Sequence, residues 1–369
     1  MNGGVLIAAS GTGGHIYPGI ALAEELTAKQ QGVSVRFAVA SGKPGAEWIR
    51  QAGFEPDFVR MRGLARRPGW SWLTLPYYLV AGFLDTWRLL RRVRPKVVVG
   101  TGGYVSGPFV FLAWVMRIPA LVLEQNRLPG VATRISSLFA TEVHVSDAVA
   151  MTRLPRRSRA RVTGTPVRRS VEEGDGERFL TELGLSANGR VVLVLGGSQG
   201  ARAVAHAAFG VARDGKTCEG VSWIIQTGDR GFGLDSTAAE PLPESVRTVP
   251  FIEAIGDAYA AADLVVARAG ATTLAELSAA GVPAVLVPFP FAAGGHQMEN
   301  AREREAAGAA RVLPEEDLTT ESLGRLVERL LRDAPTREAM SRACRAESRS
   351  SARSVLALAC QRFLEKQGG

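Results

Sequence analysis

The chain has 369 residues, 46% of them hydrophobic and 22% charged, and a formal net charge of +8. That length accommodates two domains with separate cores, and that balance excludes a disordered or fibrous chain. Cys218, Cys344 and Cys360 are odd in number and show no paired metal-ligand spacing, which favours a reducing cytoplasm and argues against a disulfide framework or zinc site.

Met1-Asn2-Gly3-Gly4 carries no basic n-region, so no signal peptide is expected. The first predicted strand, Val5–Ala9, empties into Ser10-Gly11-Thr12-Gly13-Gly14-His15, and a helix-like segment follows. Glycines this dense let the backbone adopt positive φ and approach a ligand closely, while the unpaired N–H groups of the helix face an anion or hydroxyl. A second strand is predicted at Val33–Ala40. Basic residues then accumulate: Arg60, Arg62, Arg66, Arg67, Arg88, Arg91, Arg92, Arg94 and Lys96. Scattered charge is usually solvated surface, but runs this one-sided fit an anionic partner such as phosphate, nucleic acid or an acidic membrane face.

Between these arginines, Leu75, Leu79, Phe83, Trp87 and Leu90 recur at helical spacing. A transmembrane helix needs about 20 apolar residues. Pro76, Asp85 and Arg88 interrupt this segment. It reads either as a buried core helix or as an interfacial one, and Trp70 and Trp72 upstream favour the second. Next comes strand Val97–Val99, which opens into Gly100-Thr101-Gly102-Gly103-Tyr104, a near copy of the first loop without its histidine. Strand Ala120–Leu123 runs into Leu123-Glu124-Gln125-Asn126, and strand Val143–Val145 follows. A second basic group comprises Arg153, Arg156, Arg157, Arg159, Arg161, Arg168 and Arg169.

The series breaks at Gly164-Thr165-Pro166-Val167, where the domain boundary is expected. New strands are predicted at Val191–Leu195, Val221–Ile225, Thr248–Ile252, Leu264–Ala267 and Ala284–Pro288. The first of these opens into Gly196-Gly197-Ser198-Gln199-Gly200, and the fourth into Arg268-Ala269-Gly270-Ala271-Thr272-Thr273-Leu274-Ala275-Glu276. After the last come Gly294-Gly295-His296-Gln297 and Asn300, and Thr336 to Leu364 reads as one long helix. Strands alternating with helices indicate parallel sheets covered on both faces. The expected architecture is α/β, with two doubly wound Rossmann-like domains, 1–164 and 165–345, facing a central cleft; a terminal helix, 346–369, returns toward the first domain.

The common cofactor motifs fail. The dinucleotide fingerprint needs a third glycine where Ile16 and Ser106 stand, and no Walker lysine follows any loop, which argues against NAD and ATP. His15 is the leading acid/base candidate against the alternative of a polar surface residue; His144 and His206 lack such a context and read as structural. Thr273 and Glu276 have capping-box spacing. Asn126, Gln297 and Asn300 either read sugar hydroxyls or cap helices.

Taken in order, SGTGGHIYPG, GTGGYVSGP, LEQN, GTPVR, GGSQGAR, PFI, ARAGATTLAEL and HQMENA span residues 10 to 301 and closely resemble the MurG family of bacterial N-acetylglucosaminyltransferases. The resemblance implies a GT-B fold, no cofactor, metal-independent chemistry and inverting transfer of GlcNAc from UDP-GlcNAc to the C4 hydroxyl of the muramyl sugar in lipid I, forming lipid II. By position it makes His15 the general base, with Thr12, Gly13 and Gly14 lining the reaction centre. Asn126 and Gln297 would contact GlcNAc, Arg168 and Ser198 the diphosphate, Ile252 the uracil and Glu276 the ribose, with Ala271, Thr272, Thr273 and Leu274 at that helix start. Gly102, Gly103 and Tyr104 would receive the acceptor pyrophosphate, and Trp72, Leu75, Leu79, Phe83 and Trp87 would meet the membrane. The implied partners are UDP-GlcNAc, lipid I, the anionic cytoplasmic face of the cell membrane and other cell-wall enzymes, with no nucleic acid.

Two positions depart from the family pattern: Thr165 stands where many relatives have asparagine, and Ala292-Ala293-Gly294-Gly295 replaces a more polar stretch, which bears on how firmly the donor sugar is held. The rival enzyme readings are a UDP-GlcNAc 2-epimerase or a glycolipid glycosyltransferase of the same fold. A non-catalytic basic module would explain the arginines, but not three glycine loops with His15.

Overall fold

The computed structural model describes residues 4–29, 32–42, 45–63, 74–155, 159–196, 201–214, 220–228, 242–349 and 351–365. The chain forms two compact units, one of residues 1–168 with 349–369 and the other of residues 169–348. In the first unit the elements are β1 (Val5–Ala9), α1 (Gly13–Lys29), β2 (Val35–Ala40), α2 (Gly45–Gln51), β3 (Glu55–Val59), α3 (Leu75–Val93) and β4 (Val97–Gly100). They continue with α4 (Gly103–Val115), β5 (Ala120–Glu124), α5 (Val131–Ser136), β6 (Glu142–Val145), α6 (Ala148–Thr152) and β7 (Ala160–Val162). The second unit holds α7 (Arg169–Glu172), α8 (Gly176–Glu182), β8 (Arg190–Leu195), α9 (Arg202–Asp214), β9 (Val221–Gln226), β10 (Val246–Val249) and α10 (Ile255–Ala261). After these come β11 (Leu264–Ala267), α11 (Ala271–Ala280), β12 (Ala284–Leu286), α12 (His296–Ala306), β13 (Ala310–Val312), α13 (Thr320–Arg332) and α14 (Ala334–Glu347). A last helix, α15 (Ala352–Glu365), belongs to the first unit.

Both sheets are parallel, in the orders β3-β2-β1-β4-β5-β6-β7 and β10-β9-β8-β11-β12-β13. Alternate residues of the first sheet feed different cores, as the two-residue period of a strand requires. Val5, Ile7, Ala9, Val97 and Val99 pack with α1, α2 and α15, whereas Leu6, Ala8, Val98, Val122 and Val143 pack with α3 and α4. In the second unit Val192, Val194, Trp223 and Val266 pack against α9 and α13.

Three strands escape the sequence reading: β3, β7 and β13, all at sheet edges. β3 reads Glu-Pro-Asp-Phe-Val, and proline and charge are tolerated there because an edge leaves one side of the ladder unpaired. The strand predicted at Thr248–Ile252 lies instead at Val246–Val249, because Pro250 has no N–H to continue the ladder, so Ile252 lies in the loop beyond. The long helix predicted from Thr336 to Leu364 is two helices, α14 and α15, broken where Ser348 turns extended (φ −65°, ψ 130°).

Polar bonds fasten α15 to α1 and to the first sheet. The buried Glu25 on α1 accepts from Ser354 at 2.6 Å and pairs with Lys29 at 3.0 Å and Arg353 at 3.4 Å. On β6, Glu142 takes both Arg362 contacts at 3.1 Å. Beside it His144 is buried, its Nδ1 2.8 Å from Thr163 Oγ1 and its Nε2 3.3 Å from Glu142, although not aligned for a hydrogen bond. Burial holds the His144 imidazole down at about 4, against the opposing pull of Glu142. The fold therefore favours the neutral ring, while an unfolded chain protonates near 6.5. Stability attributable to His144 is complete above pH 6.5 and declines as the pH falls toward 4, by about 3 kcal/mol in all. Urea titrations at stepped pH should show this slope, and His144→Gln should flatten it; an unchanged slope in the variant would assign the acid sensitivity to other groups.

Candidate active site

β1 and β4 are neighbours, with Ala8 opposite Gly100, and the connections leave β1 and β4 in opposite directions across the sheet. Such a switch point opens a crevice at the carboxyl ends of the strands. The twin glycine loops both open there, and they are bonded into one structure. Thr101 N donates to Ala8 O at 3.0 Å, and Ser10 Oγ donates to Gly102 O at 3.0 Å. Ser106 Oγ lies 3.0 Å from Ala8 O and 2.8 Å from Gly102 O.

Glycine is required in the second loop for a specific reason. Gly102 and Gly103 have φ of 100° and 72°. A Cβ at Gly102 would lie 2.9 Å from His15 Cε1 and Nδ1, and one at Gly103 would lie 1.8 Å from Ser10 Oγ. The imidazole of the first loop therefore sits on the backbone of the second.

His15, in the first turn of α1, places Nδ1 2.9 Å from the Thr101 carbonyl oxygen. A carbonyl only accepts, so Nδ1 carries the hydrogen and Nε2 keeps the lone pair. Burial lowers the pKa of the half-buried ring, opposed by the charge of Glu124, by the bond to Thr101 and by the nearby Gln125 amide. The product is a neutral imidazole with a free basic nitrogen at neutral pH.

The end of β5 supports this arrangement. Gln125 Nε2 donates to the same Thr101 oxygen at 2.9 Å. The buried Glu124 accepts from Asn126 N at 2.9 Å, Asn126 Nδ2 at 3.0 Å and Gly130 N at 3.1 Å, so it fixes the Asn126 amide with its oxygen unclaimed by that carboxylate. Glu124 and Gln125 entered the sequence reading only as letters of LEQN; polar residues ending a continuously buried strand were the signal that could have found them. Thr12 is half-buried and caps the turn through its carbonyl, which accepts from His15 N at 3.0 Å; Gly13 is buried and Gly14 exposed. The Arg168 guanidinium stands 4.1 Å over the Tyr17 ring, which stacks on Trp48 at 5.4 Å, close in sequence to His15. Tyr104 starts α4, and burial raises its phenol pKa, so it stays neutral.

The second unit repeats the plan at β8 and β11, where Leu195 lies opposite Ala267. Ser198 lies outside the described residues. Helix α11 has Gly270 as its N-cap, a residue with no side chain to cap the first turn at Ala271, Thr272 and Thr273. The capping-box reading of Thr273 and Glu276 is incorrect: both lie inside the helix, and the buried Glu276 accepts from Tyr259 OH at 3.1 Å. Leu274 and Ile252 are buried. Gln297, early in α12, accepts from Phe289 N at 2.9 Å, which directs its amide hydrogens elsewhere. Asn300 is buried and donates to Ala269 O at 3.2 Å, bracing the loop after β11.

The interfacial candidates separate cleanly on α3. Its buried face is Ala81, Gly82, Thr86, Leu89 and Leu90, while Leu79, Phe83 and Trp87 are exposed, with Tyr77, Val80 and Leu84; Leu75 is half-buried. The reading of this segment as a buried core helix is therefore incorrect. Trp72 lies outside the described residues. The apolar surface continues onto α4 and α5 through Phe111, whose ring centroid lies 6.1 Å from Phe83 and 5.1 Å from Phe139, and through exposed Trp114, Ile135 and Leu138. Among the described residues no helix is long and apolar enough to cross a membrane, and no group of three or more His, Cys, Asp or Glu could hold a metal ion.

Two doubly wound units, each with a switch point between adjacent central strands, define a GT-B fold. In agreement, the glycosyltransferase family 28 N-terminal domain matches residues 5–145 and its C-terminal domain residues 191–356. The chain is 38% identical over 361 residues to the UDP-N-acetylglucosamine–N-acetylmuramyl-(pentapeptide) pyrophosphoryl-undecaprenol N-acetylglucosamine transferase of Salinibacter ruber, covering 96% of each chain. It belongs to that family, the MurG transferases. The crystal structure of Acinetobacter baumannii MurG superposes with a TM-score of 0.71 at 24% identity, covering 98% of this chain and 100% of that one. A putative UDP-N-acetylglucosamine 2-epimerase from Listeria monocytogenes superposes as well, at 0.73 and 13% identity, covering 100% and 98%. The fold is thus shared with epimerases, and the sequence separates the two.

The seating of His15 is testable by a matched pair of glycine variants. Gly102→Ala and Gly32→Ala both place alanine at positive φ, 100° and 84°, but a Cβ at Gly32 meets nothing within 4 Å. Each should lose about 1–2 kcal/mol of stability in chemical denaturation. Turnover should fall about 100-fold in Gly102→Ala alone; equal turnover in the two variants would show that the ring does not depend on the loop.

Proposed function

We propose that this chain transfers GlcNAc from UDP-GlcNAc to the C4 hydroxyl of the muramyl sugar in lipid I, giving lipid II with inversion at the anomeric carbon. The observation that carries this reading is the 2.9 Å contact of His15 Nδ1 with the Thr101 carbonyl, which leaves Nε2 as a neutral base. Nε2 takes the proton of the acceptor hydroxyl, the C4 oxygen bonds to the anomeric carbon, and the bond to the UDP oxygen breaks on the opposite face. One base and one displacement give inversion without a covalent sugar–enzyme intermediate.

Departure of UDP needs its developing charge stabilised. Arg168 and Ser198 are assigned to the diphosphate, and the N–H groups starting α11 serve the nucleotide, as a helix N-terminus does for phosphate or hydroxyl oxygens. Glu276 accepts from the ribose hydroxyls, its carboxylate oriented by Tyr259, and Ile252 receives the uracil. Asn126 and Gln297 read the GlcNAc hydroxyls. Gly102, Gly103 and Tyr104 receive the acceptor pyrophosphate, with Tyr104 donating as a neutral phenol.

The acceptor is lipid-linked, and the exposed Leu79, Phe83 and Trp87 with Arg88, Arg91 and Arg92 fit attachment to an anionic leaflet, here the cytoplasmic face of the cell membrane. Arg91 lies 4.8 Å over the Trp87 ring, so aromatic and cation are presented together. This apolar face also favours transfer over epimerisation, which needs no lipid contact.

Labelled GlcNAc should pass from UDP-GlcNAc to a lipid I analogue with the wild-type chain, and kcat should fall by about 10²- to 10⁴-fold in His15→Ala. Because burial lowers the His15 pKa, the acid limb of kcat should lie below the ordinary imidazole range. No transfer by the wild-type chain would defeat the assignment. In flotation with vesicles containing phosphatidylglycerol, Leu79→Ser/Phe83→Ser/Trp87→Ser should lose binding and retain transfer to a short-chain soluble acceptor; binding equal to wild type would place the membrane contact elsewhere.

A further inference from the structure

We propose that Gln125 is a positioning residue for His15, fixing the carbonyl on which the imidazole rests and presenting an amide oxygen to the ring as it gains a proton. The inference rests on His15 being the base. Gln125 is buried, with 4% of its surface exposed, at the end of β5. Its Nε2 donates to Thr101 O at 2.9 Å, the same oxygen that His15 Nδ1 reaches at 2.9 Å. Two donors saturate that carbonyl, and the orientation of the amide follows because the carbonyl can only accept.

The other end of the amide has no hydrogen-bond partner among the described residues, although Oε1 is buried. A buried unpartnered carbonyl oxygen costs free energy, so its place in the fold calls for an explanation. Its place is informative. The point where a Cβ of Gly102 would sit is 2.9 Å from His15 Cε1 and Nδ1 and 3.6 Å from Gln125 Oε1, so ring and oxygen converge on the gap that the glycine leaves. An amide dipole there stabilises the imidazolium formed when Nε2 accepts a proton, and the Gln125 contact raises the ring's affinity for that proton.

The charge acting on the ring is that of Glu124, also on β5. The first turns of α1 and α4 bring no acidic residue, the Tyr104 phenol is neutral, and Arg168 is stacked on Tyr17. Glu124 is engaged by Asn126 and Gly130, so it acts at a distance, while the Gln125 amide shares the Thr101 carbonyl with the ring.

Two variants of the full chain test this. Gln125→Met keeps the shape and removes both polar ends; Gln125→Glu keeps the shape and adds charge. The His15 Cε1 proton is followed by NMR through a pH titration, assigned by its loss in His15→Gln, alongside kcat and the KM for UDP-GlcNAc. Gln125→Met should lower the titration midpoint and cut kcat about tenfold or more with the donor KM within about threefold, whereas Gln125→Glu should raise the midpoint. A side chain that only fills space would not move the midpoint in opposite directions. Unmoved midpoints, or midpoints moving the same way, would overturn the proposal; if Gln125→Met melts below the assay temperature, the direction in Gln125→Glu decides. The titration needs no turnover, so an absence of transfer by the wild-type chain remains a separate failure, that of the transferase reading.

Discussion

The carbonyl of Thr101 is the point on which the first unit's chemistry depends. It accepts from His15 Nδ1 and from Gln125 Nε2, both at 2.9 Å. That double acceptance sets the tautomer, and the tautomer decides whether Nε2 can take a proton. The carbonyl can be shared only because β1 and β4 are neighbours in the sheet while far apart in sequence, so the loop after one supplies the ring and the loop after the other supplies its seat. Burial then keeps the ring neutral, and Glu124 limits how far its basicity falls.

The second unit uses the same topology for a different purpose. Its switch point between β8 and β11 presents the start of α11, whose N-cap is Gly270, with a carboxylate held by a tyrosine one turn further along. A helix start favours phosphate and hydroxyl oxygens, and a buried carboxylate favours hydroxyl donors. In the proposed reading His15 on the first unit is the base, and the start of α11 with Glu276 on the second serves the nucleotide. The exposed face of α3 adds an element that a soluble acceptor would not call for.

Much of this was legible in the sequence because parallel central strands are continuous apolar runs. β1, β4, β8 and β11 were readable, and with them the loops that matter, since switch-point loops follow central strands. What escaped were the edges: β3, β7 and β13 carry proline, charge or only three residues, because half-paired strands need less apolar character. The break between α14 and α15 was hidden by alanine and arginine on both sides of a short serine-rich turn. The GTGG loops were recognised as ligand turns, but not that one seats the other's histidine, which depends on strand adjacency. The role of Gln125 escapes the sequence for the same reason, because its partner Thr101 lies in the loop after β4, whereas the partners of Glu124 are the nearby Asn126 and Gly130. Helical spacing on α3 leaves the direction of the stripe open, and the structure turns Leu79, Phe83 and Trp87 outward while Leu90 joins Ala81, Gly82 and Thr86 on the buried face.

The most direct test is the protonation of His15 itself. The imidazole ¹⁵N shifts of the labelled wild-type chain at pH 7 should show a neutral ring with hydrogen on Nδ1 and a bare Nε2. A cationic ring at that pH, or a neutral one with hydrogen on Nε2, would contradict the account.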